Sequence, residues 1–86
     1  MTALYTVYVL RSLRDNKLYI GMTSDIERRI NEHDSGKTFS TRHRRPFILV
    51  YSEQVPTRSE ARQRERCLKS GPGHRFLDQV ILSKTS

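Results

Sequence analysis

The spacing of apolar positions changes several times along the chain, and each change marks an element. Residues 4–11, Leu-Tyr-Thr-Val-Tyr-Val-Leu-Arg, are rich in β-branched and aromatic side chains and predict a strand. Asp15-Asn16-Lys17 is a turn signal. Leu18-Tyr19-Ile20-Gly21 predicts a second strand, near enough to pair with the first as a hairpin. Ser24-Asp25-Ile26-Glu27 has capping-box spacing, with Ser24 as the cap. The helix it opens should run to about Ser35, with Ile26 and Ile30 inward and Gly36 as its stop. After a polar stretch over residues 37–45 and Pro46, the unbroken run Phe47-Ile48-Leu49-Val50-Tyr51 predicts a buried strand, ended by Pro56. Thr57-Arg58-Ser59-Glu60 repeats the capping-box spacing and starts a helix to about Ser70. Gly71-Pro72-Gly73 predicts a break. Phe76, Leu77, Val80 and Ile81 then predict a short final helix packed on the core, followed by a frayed tail, Ser83-Lys84-Thr85-Ser86.

The order β-β-α-β-α-α predicts an α/β (α+β) fold: a three-stranded antiparallel sheet flanked by helices. At 86 residues the chain reads as one small domain, 1–86, with its core at about 4–82. So small a core favours an open groove over a deep pocket.

Charge narrows the partners. Lys and Arg number 16 against 9 Asp and Glu, a formal charge of +7. Such a field attracts polyanions: DNA, RNA or an anionic membrane surface. The cations cluster, with Lys37, Arg42, Arg44 and Arg45 in an acid-free stretch, and Arg58, Arg62, Arg64, Arg66 and Lys69 further on. No apolar run approaches the roughly 20 residues of a membrane span. The first residues do not read as a signal peptide. No helix pairs a wide apolar face with a basic one, which argues against membrane-surface binding. Cys67 is the lone cysteine, so an internal disulfide and a cysteine-based zinc site are excluded, and a cytoplasmic location is expected.

Several residues raise questions that packing alone does not answer. Ala61, Glu65 and Leu68 share one helix face, which sets Glu65 in or beside the buried stripe. A carboxylate there needs a partner: an arginine in the bland reading, a metal ion in the sharper one. Asp25, Arg29 and His33 form one row, as solvated charges or as a phosphate clamp in which arginine supplies a planar fork and histidine a donor or relay. Tyr8 and Tyr19 fall on neighbouring strands, as packing residues or as hydroxyls aimed at a groove. Gly21 fits either a bulge or close approach of a ligand. The few acids do not make a two-metal cluster, His33, His43 and His74 lack metal-ligand spacing, and no Gly-rich phosphate loop is present. A single metal held by one carboxylate is the economical arrangement, and Mg²⁺ tolerates it.

These residues resemble the GIY-YIG nuclease superfamily, and within it the small stand-alone proteins similar to the N-terminal nuclease domain of the excinuclease. The first motif appears as Thr6-Val7-Tyr8, keeping the Tyr but not the Gly and Ile, and the second as Tyr19-Ile20-Gly21. Arg29 falls on the family's arginine, His33 on the His or Tyr one turn later, and Glu65 on its metal-binding glutamate. No counterpart follows Glu65 for the distal Asn of some members. The resemblance implies a metal-dependent endonuclease, structure-directed or weakly sequence-specific, acting on DNA, with RNA left open, in repair or recombination. It implies one Mg²⁺ or Mn²⁺ ion on Glu65, Arg29 neutralising phosphoryl charge, and Tyr8 activating or orienting water with Tyr19 and His33 assisting. Gly21, Lys37, Arg42, Arg44, Arg45, Arg62 and Arg66 would meet the nucleic acid. Two other classes stay open: a nucleic-acid-binding module without turnover, and a basic protein–protein adaptor.

Overall fold

A computed structural model describes residues 4–38 and 41–85, with side chains through residue 81. Residues 1–3, on which the signal-peptide reading falls, and Ser86 lie outside the described residues. Strands β1 (Tyr5–Ser12) and β2 (Leu18–Thr23) form the expected hairpin, turned through Asn16 at φ 62°. Strand β3 (Phe47–Val55) pairs with the other side of β1, and both pairings are antiparallel. The sheet order is therefore β2-β1-β3, with β1 central. The fold expected from the sequence, an antiparallel sheet of three strands flanked by helices, is the one observed.

Alternation along β1 gives the sheet two different faces. Val7 and Val9 point to one side, where with Ile20 they pack on Ala61 and Leu68 of helix α2 (Arg58–Lys69) and Leu77 of helix α3 (Gly71–Thr85). Tyr8 and Leu10 point to the other side, where with Phe47 they meet Ile26 and Ile30 of helix α1 (Ile26–Asp34). Leu68 and Leu77 are fully enclosed, each contributing about 1.5–3 kcal/mol by apolar burial.

Four sequence expectations change. The cap of α1 is Asp25, not Ser24: its carboxylate accepts from the Arg28 N–H at 3.2 Å, while the Thr23 hydroxyl occupies the Asp25 N–H at 3.1 Å. The run in β3 is not a buried strand. It is a sheet edge with a bulge opposite Val9/Leu10, and Ile48 and Leu49 are 36% and 44% exposed because neighbours cover them on fewer sides than in a central strand. The break after α2 is confined to Ser70, since α3 already begins at Gly71. Pro72 is tolerated because the first turn of a helix has no use for its missing N–H, and the Ser70 hydroxyl accepts from the Gly73 N–H at 3.3 Å. Finally, α3 is a 15-residue helix that continues through the expected frayed stretch to Thr85. The second cap is as expected: the Thr57 hydroxyl accepts from the Glu60 N–H at 3.1 Å.

Candidate active site and nucleic-acid interface

The two tyrosines of the paired motifs lie on the α1 face. Tyr8 stands opposite Gly21, and Tyr19 opposite Leu10, so alternation sends both rings the same way. Their centroids are 6.3 Å apart. Capped by Asp25, α1 runs over this face and sends in Arg29 and, one turn on, His33. His33 is fully buried. Its ring meets the edge of Tyr19 at 4.8 Å and Phe47 at 5.9 Å.

A chain of hydrogen bonds links these groups. Arg29 Nε donates to the Tyr8 hydroxyl at 3.3 Å, the hydroxyl lies 3.1 Å from His33 Nε2, and His33 Nδ1 lies 2.8 Å from the Thr41 hydroxyl. Burial raises the Tyr8 phenol above its ordinary pKa, and the Arg29 hydrogen bond offsets this only in part. Burial also lowers His33, and the Arg29 charge lowers it further. Both groups therefore rest neutral near pH 7. The Tyr8 bond in turn holds the Arg29 guanidinium firmly protonated.

Beside this chain an open cleft of about 540 Å³ lies between α1 and α2. Arg28, Arg29 and Glu32 come from α1, and Arg58, Arg62 and Glu65 from α2. Tyr5, Met22, Thr23 and Ser24 complete the lining. Four arginines against two glutamates leave this lining with an excess of positive charge, a field that attracts anions. Glu65 is partly exposed and accepts from Lys69, one turn along α2, at 2.9 Å. The bland reading of the sequence predicts an arginine partner; the observed one is a lysine.

The structure thus brings Arg29 and Glu65 to the same opening. Tyr8 is 1% exposed and sits behind Arg29, outside the cleft lining, while Tyr19 is half-buried. Gly21 lies directly under the Tyr8 ring. Of the expected basic contacts, Arg62 lines the cleft, and Arg66 is exposed on α2 with Arg62, Ser59 and Gln63 around an adjoining hollow. Lys37 is exposed. Arg44 is engaged in the fold: it pairs with Asp15 at 3.0 Å and lies 5.8 Å over the Phe47 ring. Arg45 donates to the Arg42 and Asp34 carbonyls, tying the loop to the end of α1. Arg42 is exposed, in the 3-10 turn Arg42–Arg44.

Sequence reasoning passes over Arg28, Glu32 and Thr41, and gives Arg58 no role at the site. Arg58 was accessible, since Arg58, Arg62 and Arg66 recur every four residues and so share one helix row. Nothing in the sequence marks Thr41. Among the described residues no group of three or more His, Cys, Asp or Glu side chains could hold a metal ion. No helix among them is long and apolar enough to cross a membrane.

Two tyrosines from a hairpin, an arginine on the next helix and a glutamate beyond the third strand stand in the order that the resemblance to the GIY-YIG class implies. The model of the GIY-YIG catalytic domain matches residues 4–72, and the chain belongs to that family. It is similar to UPF0213 proteins: 46% identical to one from Natronomonas pharaonis over 71 residues, covering 81% of this chain and 82% of that one. A UPF0213 protein of Staphylococcus haemolyticus is 42% identical over 69 residues, covering 79% of this chain and 83% of that one. The solution structure of a Bacillus halodurans UPF0213 protein superimposes with a TM-score of 0.55 at 36% identity, covering 90% of this chain and 84% of that chain.

Proposed function

We propose that this chain is a divalent-metal-dependent endonuclease that cuts the backbone of DNA at the cleft between α1 and α2. The observation that carries this reading is the joint exposure of Arg29 and Glu65 to one cation-rich opening. Arg29 presents its guanidinium to a phosphate, and charge developing on the phosphoryl oxygens during hydrolysis is neutralised there. Arg28, Arg58 and Arg62 hold adjacent phosphates without reading bases. Glu65 would hold the metal. A lone, partly exposed carboxylate suits Mg²⁺ or Mn²⁺, which keep several waters and take further ligands from substrate. When bound, such an ion supplies Lewis-acid stabilisation of the phosphate and of the leaving oxygen. Lys69 must release the carboxylate for this. Its ion pair is solvent-exposed and worth at most about 1 kcal/mol, so the release is inexpensive.

A lining whose cations are four arginine forks suited to backbone phosphates supports structure-directed or weakly sequence-specific cutting, of the kind used in repair and recombination. A second reading, binding without turnover, is favoured by one observation: Glu65 is already paired. Incubation of branched, duplex and single-stranded DNA, and of RNA, with Mg²⁺ or Mn²⁺ separates the two. The parent should cut at least one substrate. Glu65→Ala and Arg29→Ala should each lose about 10²–10³-fold in rate while retaining most of the binding. Binding by the parent with no metal-dependent product would select the second reading.

A further inference from the structure

The buried chain behind the cleft has a favoured sense, which follows from what each group donates and accepts best. Arg29 Nε carries a hydrogen and can only donate, so the Tyr8 oxygen accepts from it. The hydroxyl's one hydrogen must then go elsewhere, and at 1% exposure no solvent serves it. His33 Nε2, at 3.1 Å, takes that hydrogen if it is the bare nitrogen of a neutral ring. The other nitrogen, Nδ1, then carries the hydrogen and donates to the Thr41 hydroxyl at 2.8 Å. Thr41 is itself 1% exposed, and the Tyr19 and Phe47 rings border the imidazole, so the arrangement is built in the interior. The bonds run one way, Arg29 to Tyr8 to His33 to Thr41, and bonds in one sense reinforce each other. The opposite tautomer would point Nε2–H and Arg29 Nε–H at the same phenolic oxygen, a poorer acceptor than the Thr41 hydroxyl, and would leave the phenol, the stronger donor of the two hydroxyls, without an acceptor.

We infer that Thr41 is a positioning residue: by accepting from Nδ1–H it holds His33 in the tautomer that orients the Tyr8 hydroxyl, and that hydroxyl aims the Arg29 guanidinium into the cleft. Tyr8 and His33 then serve through Arg29. This rests on the cleft being the phosphate site, but the chain itself can be read without any substrate.

The test uses the whole protein and two kinds of readout. Imidazole nitrogen and carbon chemical shifts report the tautomer of His33, and solvent exchange of the Arg29 Nε–H reports its hydrogen bond. The parent should show Nδ1–H and a protected Arg29 Nε–H. Thr41→Val should shift the tautomer and speed the exchange, and Thr41→Ser, which keeps the hydroxyl, should restore both. In cleavage, Thr41→Val should lower kcat about tenfold, the scale of one buried hydrogen bond, with KM near the parent's. Nε2–H in the parent, or unchanged Arg29 exchange in Thr41→Val, overturns the inference. If Thr41→Val does not fold, Tyr8→Phe decides: it removes the acceptor and must expose the Arg29 Nε–H. A parent that cuts nothing, yet shows the stated tautomer and exchange, defeats the nuclease reading and leaves the positioning chain intact.

Discussion

The Tyr8 hydroxyl lies so close over Gly21 that a Cβ built there would sit 2.6 Å from its oxygen and 2.7 Å from Cζ. The second motif's glycine therefore makes room for the first motif's phenol, because the two face each other across the β1–β2 pair. Gly21→Ala has to push that ring, and with it the bonds to Arg29 and His33. It should destabilise by about 1–3 kcal/mol as an overpacked site. It should also cost more activity than an alanine elsewhere in β2. Chemical denaturation read beside cleavage checks this, and an unchanged midpoint would contradict it.

His33 gives the fold an acid sensitivity. Burial, then the Arg29 charge, holds its pKa below the ordinary 6.5, while Glu32 and Asp34 pull the other way. Above 6.5 the ring is neutral both folded and unfolded, so it has no effect on stability. Between 6.5 and its lower folded value, the unfolded chain binds a proton that the folded chain refuses, and stability falls with acidification. Glu53 acts at lower pH. Arg64 chiefly holds its pKa below 4.5, so the stability it supplies is lost as pH falls from about that point through its folded value. Thermal melts should decline in two steps, and imidazole proton shifts should place the His33 midpoint below 6.5.

The basic residues should separate by experiment. Removing Arg62 or Arg58, which line the cleft, should weaken nucleic-acid binding and reduce its logarithmic salt slope by about 0.7–0.9 each. Arg44→Ala should instead lower thermal stability, since it loses the Asp15 pair and the Phe47 contact, with little change in slope. Salt titrations of affinity, run beside melts of the same variants, decide between these roles.

Gly73 is the point where α3 packs back on α2. A Cβ there would run into the Cys67 carbonyl oxygen and fall 2.6 Å from Leu68 Cα, both backbone atoms that cannot swing aside. Gly73→Ala should therefore cost about 3 kcal/mol or more, or prevent folding altogether. Gly71→Ala, with open space around it, should be close to neutral and serves as the control.

The order of elements was legible because its signals are local. Strand composition, the Thr57 cap and helical spacing act within a few residues, and the paired motifs with Arg29 and Glu65 name the family. Local signals failed where a neighbour far along the chain decides. The run at Phe47–Tyr51 looked buried, yet only the sheet order makes β3 an edge. The cap of α1 failed on a closer scale: the spacing named Ser24, but Asp25 takes the role, with the Thr23 hydroxyl on its N–H.

By itself the sequence determined the order of strands and helices and which residues carry charge. The tertiary structure alone decided that His33 is enclosed, that Tyr8 stands behind Arg29, that Arg44 and Arg45 bind the fold, and that Thr41 closes the chain. The reason is physical: periodicity and caps are fixed by backbone geometry over one or two turns, whereas burial and hydrogen-bond partners depend on segments such as residues 8, 33 and 41 that meet only after the sheet and helices have packed.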